Sequence, residues 1–197
     1  MITELNVVNS CLATIGEMPL VELQDEHPMV AAARQNFEEA RVAEVAVQWW
    51  FNTDRVTLQP ANGEGFIYVP RDAVAVTPLD RQDLGMRGRR LYNHQESTYV
   101  IGAPVRCVVV RDIPFDDLPA PAQLLVKHAC VLQFQMNYDA DEAKSAKLEA
   151  LYAKAYRTLN AEHIRQVALN GLLIPHIAQA RMAVGGNRRI GNRIPVR

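Results

Sequence analysis

The sequence predicts an α+β protein: a bundle of about four helices, an inserted small antiparallel β-sheet or sandwich, and a flexible basic C-terminal arm. Three observations carry this. Apolar residues recur at steps of three and four before residue 51 and again after residue 113, the period of a helix with one buried face. Between residues 52 and 112 the pattern becomes short β-branched and aromatic runs, separated by turn-forming Gly, Pro and Asn. The 197-residue chain is formally −1, yet all 22 carboxylates lie at or before Glu162 with 15 of the 21 Lys and Arg, and the following 35 residues carry six arginines.

Thr3 is placed to cap a first helix with the stripe Leu5, Val8, Leu12 and Ile15, and Gly16 is a natural stop. Pro28 is expected in the first turn of a second, long helix. Its stripe runs through Val30, Ala33, Phe37, Ala40, Ala43, Val47 and Trp50. Strands are expected over 55–58, 66–69, 73–77, 90–92, 98–101 and 105–111, punctuated by Asn62-Gly63, Pro70, Pro78, Gly85, Gly88 and Gly102. Helix returns after Asp116-Asp117-Leu118-Pro119. There Leu125, Ala129, Leu132 and Met136 form one stripe, with Val131 and Phe134 on the opposite side. A helix apolar on two faces points to a subunit contact. Asp139 and Glu142 have capping-box spacing for a last helix, which buries Leu148, Tyr152, Ala155 and Leu159 and fades near Asn170-Gly171. Residues 1–51 and 113–173 thus read as one helical unit, 52–112 as an insertion, and 174–197 as an arm.

The last twenty residues, beginning at Ala178, are rich in Gly, Asn and isolated apolar residues and carry the candidate partner-docking residues Arg181, Arg188, Arg189, Arg193 and Arg197. Their apolar content is too low to offset an ordering cost of ~1–2 kcal/mol per residue. A cationic arm on an acidic body points to an anionic docking surface. No apolar run approaches the ~20 residues that span a bilayer. Met1-Ile2-Thr3-Glu4 lacks a basic segment leading into an apolar one, so no secretory signal is expected. Cys11, Cys107 and Cys130 are odd in number, far apart and in apolar stretches, so they read as core residues of a protein folded in a reducing cytoplasm.

Catalytic signals are sparse. Gly63-Glu64-Gly65 lacks the third glycine and the lysine of a phosphate loop. His27, His94, His128, His163 and His176 stand apart, and His128 reads as a near-core residue. Asp139-Ala140-Asp141-Glu142 lacks the glycine and final glutamate of a calcium loop. Asp116 and Asp117 are adjacent at a helix entrance, where carboxylates favour the dipole and point apart. Trp49-Trp50-Phe51 reads as a bolt between helix and sheet. Arg87, Arg89 and Arg90, beside Tyr92 and Tyr99, read as a hairpin tip making partner contacts, since nucleic-acid binding is disfavoured on a net-negative body. No catalytic, cofactor-binding or metal-binding residue is expected.

Taken in order, Leu5-Asn6-Val7-Val8-Asn9, Ile15-Gly16-Glu17-Met18-Pro19, Trp50-Phe51-Asn52 with Thr57-Leu58, and Tyr68-Val69-Pro70 form a series. It continues with Arg89-Arg90-Leu91-Tyr92 and with Asp116-Asp117-Leu118-Pro119 leading to Gln133-Phe134. This series, over about residues 5–170, resembles the tail tubular protein A family, the head-to-tail adaptors of short-tailed podovirus bacteriophages. The resemblance implies a structural virion protein of the tail, assembled in the host cytoplasm. Its implied partners are the portal, the tail nozzle (tubular protein B), tail fibres, and further copies in a ring expected to be twelve-fold. DNA is expected to leave through the ring channel without sequence-specific binding, and no membrane or cofactor is implied. The arm is longer and more basic than the family pattern. Two alternatives stand beside this reading: a virion-associated glycan-degrading enzyme using paired carboxylates, and a DNA-binding protein acting through the arm.

Overall fold

Thr3 opens helix α1 (Glu4–Thr14) with a reciprocal cap. Its Oγ1 accepts from the Asn6 amide at 3.3 Å, and Asn6 Oδ1 accepts from the Thr3 amide at 3.0 Å. The far end closes in a Schellman pattern, with Glu17 N donating to Leu12 O at 3.1 Å and Gly16 N to Ala13 O at 3.3 Å. Gly16 takes the left-handed φ of +81° that this turn demands. The computed structural model describes residues 2–24, 27–61 and 63–172. The arm with Arg181, Arg188, Arg189, Arg193 and Arg197 therefore lies outside the described residues.

The buried face of α1 is Val7, Val8, Cys11 and Leu12. The expected stripe shares Val8 and Leu12 with it, while Leu5 and Ile15 are half-buried at the edge. Helix α2 (Val30–Val45) begins two residues after Pro28, which therefore precedes the helix instead of entering its first turn. Its N-cap is Met29, with no side-chain cap, and Met29 N donates to the His27 ring Nδ1 at 3.1 Å. Val30, Ala33, Phe37 and Ala40 are buried as the period requires. Beyond them Ala43 and Val47 face solvent, Val45 is buried as the last residue of the helix, and Trp49 turns inward after the helix has ended.

The mid-chain region forms a three-stranded antiparallel sheet and a hairpin. The sheet runs β1 (Thr53–Leu58), β5 (Val105–Arg111), β2 (Ala73–Pro78), with β5 central. Thr53 faces Val110 and Leu58 faces Val105 across one ladder, and Val76 faces Val109 across the other. The hairpin pairs β3 (Leu84–Arg87) with β4 (Arg90–Asn93). Strands expected over 66–69 and 98–101 form only isolated bridges, Phe66 to Val100 and Tyr68 to Arg90. Alternate residues there serve different partners, so no continuous ladder develops. Ile67, Val76, Leu84, Leu91, Cys107 and Val109 build a core for this region.

A separate core lies among the helices, including Val8, Leu12, Phe37, Leu125, Phe134 and Leu159. A 3₁₀ turn (Phe115–Asp117) leads into helix α3 (Ala120–Tyr138), where Gln123 ties the turn down by donating to Phe115 O at 3.1 Å. Helix α4 (Glu142–Leu172) buries Ala155 and Leu159 with Leu148 and Tyr152 half-buried, the face the sequence predicts. Its cap is Asp141, whose Oδ1 accepts from Lys144 N at 2.8 Å. Asp139 is displaced from that role because its carboxylate accepts from Gln135 at 2.7 Å and Lys144 Nζ at 2.6 Å. The chain divides into two compact units, 1–159 and 160–197. In the second, Glu162 accepts from Gln166 at 2.9 Å and pairs with Arg165.

Candidate assembly surfaces

The switch from helix to strand is made by Asn52, 1 % exposed, which stands between α2 and β1. Its Oδ1 accepts from Trp49 N at 2.9 Å, and its Nδ2 donates to Val45 O at 2.6 Å and Val47 O at 3.0 Å. The side chain thus satisfies carbonyls that the end of α2 leaves open. Its own carbonyl accepts from Arg111 N at 2.7 Å on β5. A second tie comes from Arg41, which donates to Asp112 at 2.6 Å and Ile113 O at 3.3 Å where the chain leaves the sheet. Burial opposes the Arg41 charge, but the hydrogen bonds it donates to Asp112 and Glu38 outweigh it and hold its pKa above the ordinary value.

Trp49, Trp50 and Phe51 pack into the helical core, and the Trp49 ring meets Tyr156 edge-on at 6.0 Å. The aromatic cluster is therefore part of the helical layer, and Asn52 and Arg41 make the connection to the sheet. At the hairpin the guanidinium groups stack on the protein's own rings. Arg87 lies 4.8 Å from the Tyr92 centroid, and Arg90 lies 4.4 Å from Tyr99 and 5.2 Å from Phe66. These contacts order the tip internally. Arg89, Tyr68 and Val100 remain exposed beside it, the last two at 52 % and 54 %.

Asp116 lines a cleft of about 340 Å³ with Glu4, Glu38, Arg41 and Asp112, and Asp117 does not. Arginines pair with three of these acids: Arg34 meets Glu4 at 2.8 Å, and Arg41 bridges Glu38 at 3.0 Å and Asp112 at 2.6 Å. These bridges join separate elements of the fold. His128 is half-buried, and burial, with Lys127 beside it, pushes its pKa down. Cys11 and Cys130 touch at 3.5 Å between α1 and α3, and that contact together with burial keeps the Cys130 thiol protonated. Cys107 is buried in the sheet core. Among the described residues no group of His, Cys, Asp or Glu is arranged to hold a metal ion, and no helix is long and apolar enough to cross a membrane.

Several apolar side chains are left uncovered. Met18 and Val21 are 81 % and 83 % exposed on the loop after α1, which Asn9 clamps by bonding Leu20 N at 2.8 Å and Leu20 O at 3.0 Å. On α3 the buried set is Ala122, Leu125, Val126, Cys130, Val131 and Phe134. The expected stripe diverges from it after Leu125: Ala129 and Leu132 are half-buried and Met136 is exposed. These three line an open groove of about 290 Å³ with Glu44, Gln133, Asn137 and Tyr152. Tyr152 donates to Glu44 at 2.9 Å. Burial and that carboxylate push its pKa up to about 12. The loop surface was not legible from the sequence, since a lone Met and Val in a loop carry no periodic signal.

The frame leaves apolar side chains exposed on the loop after α1, on its helices and beside the hairpin, with the α3 groove as the place where several of them gather. The family Tail tubular protein matches residues 5–169, and the chain belongs to that family: it is a structural protein of the bacteriophage virion tail. It is similar to Tail tubular protein A of Klebsiella phage KP34, at 27 % identity over 164 residues, 82 % of this chain and 87 % of the relative. The glycan-degrading alternative is set aside by that membership.

Proposed function

We propose that the chain is a head-to-tail adaptor subunit, several copies of which close into a ring between the portal and the tail nozzle. The expected ring is twelve-fold, with fibres at the junction and DNA leaving through its channel. The observation that carries this reading is the open apolar side of α3 in a chain that matches the tail family over 5–169. A ring subunit needs surfaces that its own fold leaves unsatisfied, and Ala129, Leu132 and Met136 offer one. Residues 1–51 and 113–173 form the ring wall, and residues 52–112 project from it as an inserted domain. Separate helical and sheet cores, joined through Asn52 and Arg41, support this division. Three buried free thiols fit assembly in a reducing host cytoplasm.

Residues 174–197 act as the docking arm, with Arg181, Arg188, Arg189, Arg193 and Arg197 engaging acidic surfaces of neighbouring components. A protein partner is favoured over DNA, because an arm gripping DNA would oppose its exit. Co-sedimentation with purified portal rings tests the reading. The full chain is expected to pellet with the portal, and a chain lacking residues 178–197 to fold normally but bind more weakly. Equal binding by both would remove the arm from the account, and no binding by either would remove the adaptor role.

A further inference from the structure

The groove on α3 has an apolar floor of Ala129, Leu132 and Met136, one carboxylate in its lining, Glu44, and a second, Glu39, bonded to the lining residue Gln133. Glu44 accepts from Tyr152 at 2.9 Å, and Glu39 accepts from Gln35 at 2.9 Å and Gln133 at 3.0 Å. All three donors are neutral, and among the described residues no Lys, Arg or His forms an ion pair with either carboxylate. Burial holds the Glu44 carboxyl above its ordinary range, and an opposite charge brought beside it is the change that most favours its ionised form. The surface is thus complementary to an apolar segment that carries an isolated cation.

The chain supplies such a segment outside its described residues. Leu173-Ile174-Pro175-His176-Ile177-Ala178-Gln179-Ala180-Arg181-Met182-Ala183-Val184 is mostly apolar, holds one arginine, and follows the last acidic residue, Glu162. We propose that residues 173–184 of one copy seat in the α3 groove of the adjacent copy, apolar side chains on Ala129, Leu132 and Met136, and Arg181 against Glu39 and Glu44. The inference rests on the ring reading. A closed ring requires two different complementary surfaces on each subunit, and groove and segment are such a pair. Arg188, Arg189, Arg193 and Arg197 then remain for the next component of the tail. Linking subunits through an arm strengthens the assembly without a large added interface.

Cross-linking of full-length chains tests this. One population carries Met136→Cys and the other Met182→Cys; Met136 is 56 % exposed, so its replacement spares the core. The two are mixed, assembled on portal rings, verified by electron microscopy, and oxidised with glutathione disulfide. The inference predicts a mixed disulfide dimer, well above a control pairing Met182→Cys with Val42→Cys on exposed α2 surface. Arg181→Glu in the Met182→Cys chain should lower the yield several-fold, and adding Glu44→Lys to the Met136→Cys chain should restore it. Rings without cross-linking above the control overturn this docking while leaving the ring reading intact. A third chain carrying both Met136→Cys and Met182→Cys that closes the disulfide within itself, while the mixed single variants do not cross-link above the control, overturns the assignment to a neighbour. Absence of rings overturns the ring reading, and this inference with it.

Discussion

Replacing Asn52 with Ala removes the side chain that joins the helical layer to the sheet. Three backbone groups lose their partner: Trp49 N–H at 2.9 Å, Val45 C=O at 2.6 Å and Val47 C=O at 3.0 Å. A buried polar group left unpaired costs about 1–3 kcal/mol. The Trp49 and Val45 bonds are wholly buried and contribute about 1.5 kcal/mol each on that scale, whereas water can reach Val47 O in part. The expected loss is therefore about 3–4 kcal/mol, or roughly 6–16 °C in Tm for a domain of this size. Urea unfolding followed by tryptophan fluorescence is well suited, because the chain's two tryptophans, Trp49 and Trp50, both sit at this junction. Asn52→Asp should be no better, since a carboxylate cannot donate to Val45 O. Stability of Asn52→Ala within about 0.5 kcal/mol of the parent, the scatter of ordinary surface changes, would refute the assigned role.

Three further predictions concern the helical layer. Phe134 is 0 % exposed at the centre of the core, and Phe134→Ala should destabilise by about 3–5 kcal/mol in the same assay. Ala140 holds a left-handed φ of +54° between α3 and α4, so Ala140→Gly should stabilise by about 0.5–1 kcal/mol once the added unfolded-state freedom is subtracted. Burial raises the Glu44 carboxyl, against the hydrogen bond from Tyr152. Its folded pKa exceeds the unfolded value, so this stabilising contribution is complete below pH 4.5 and is lost as pH rises through the raised value. Thermal melts of Glu44→Gln should match the parent in acid and exceed it at neutral pH; a parallel pair of pH profiles would contradict this.

The helices were legible because their apolar positions repeat at the helical period, and the caps at Thr3 and Gly16 because those residues suit one backbone geometry. What the period did not decide was which side of α3 packs inward. Both Leu125-Ala129-Leu132-Met136 and the side bearing Val131 and Phe134 are apolar, and the protein buries the latter with Leu125 and Cys130 while opening Ala129, Leu132 and Met136 into a groove. Strand β3 was illegible for another reason. Leu84-Gly85-Met86-Arg87 has no β-branched residue, and it forms through pairing with β4. A Cβ on Gly85 would clash with His94 Nε2, so the exposed His94 ring packs directly over the strand there and would have to move to admit a side chain. Asn52 gave no signal either, since a single Asn after three aromatics reads as a turn, and its three backbone partners are set by where α2 stops. The apolar groove with Glu44 and Glu39 beside it joins α2, α3 and α4, a proximity no local pattern encodes.

The adaptor reading is tested most directly by electron microscopy of portal rings incubated with the purified full-length chain. The account predicts an added ring of density coaxial with the portal, with the symmetry expected to be twelve-fold and an open central channel. Portal rings that carry no added density, with the chain remaining monomeric beside them, would contradict it.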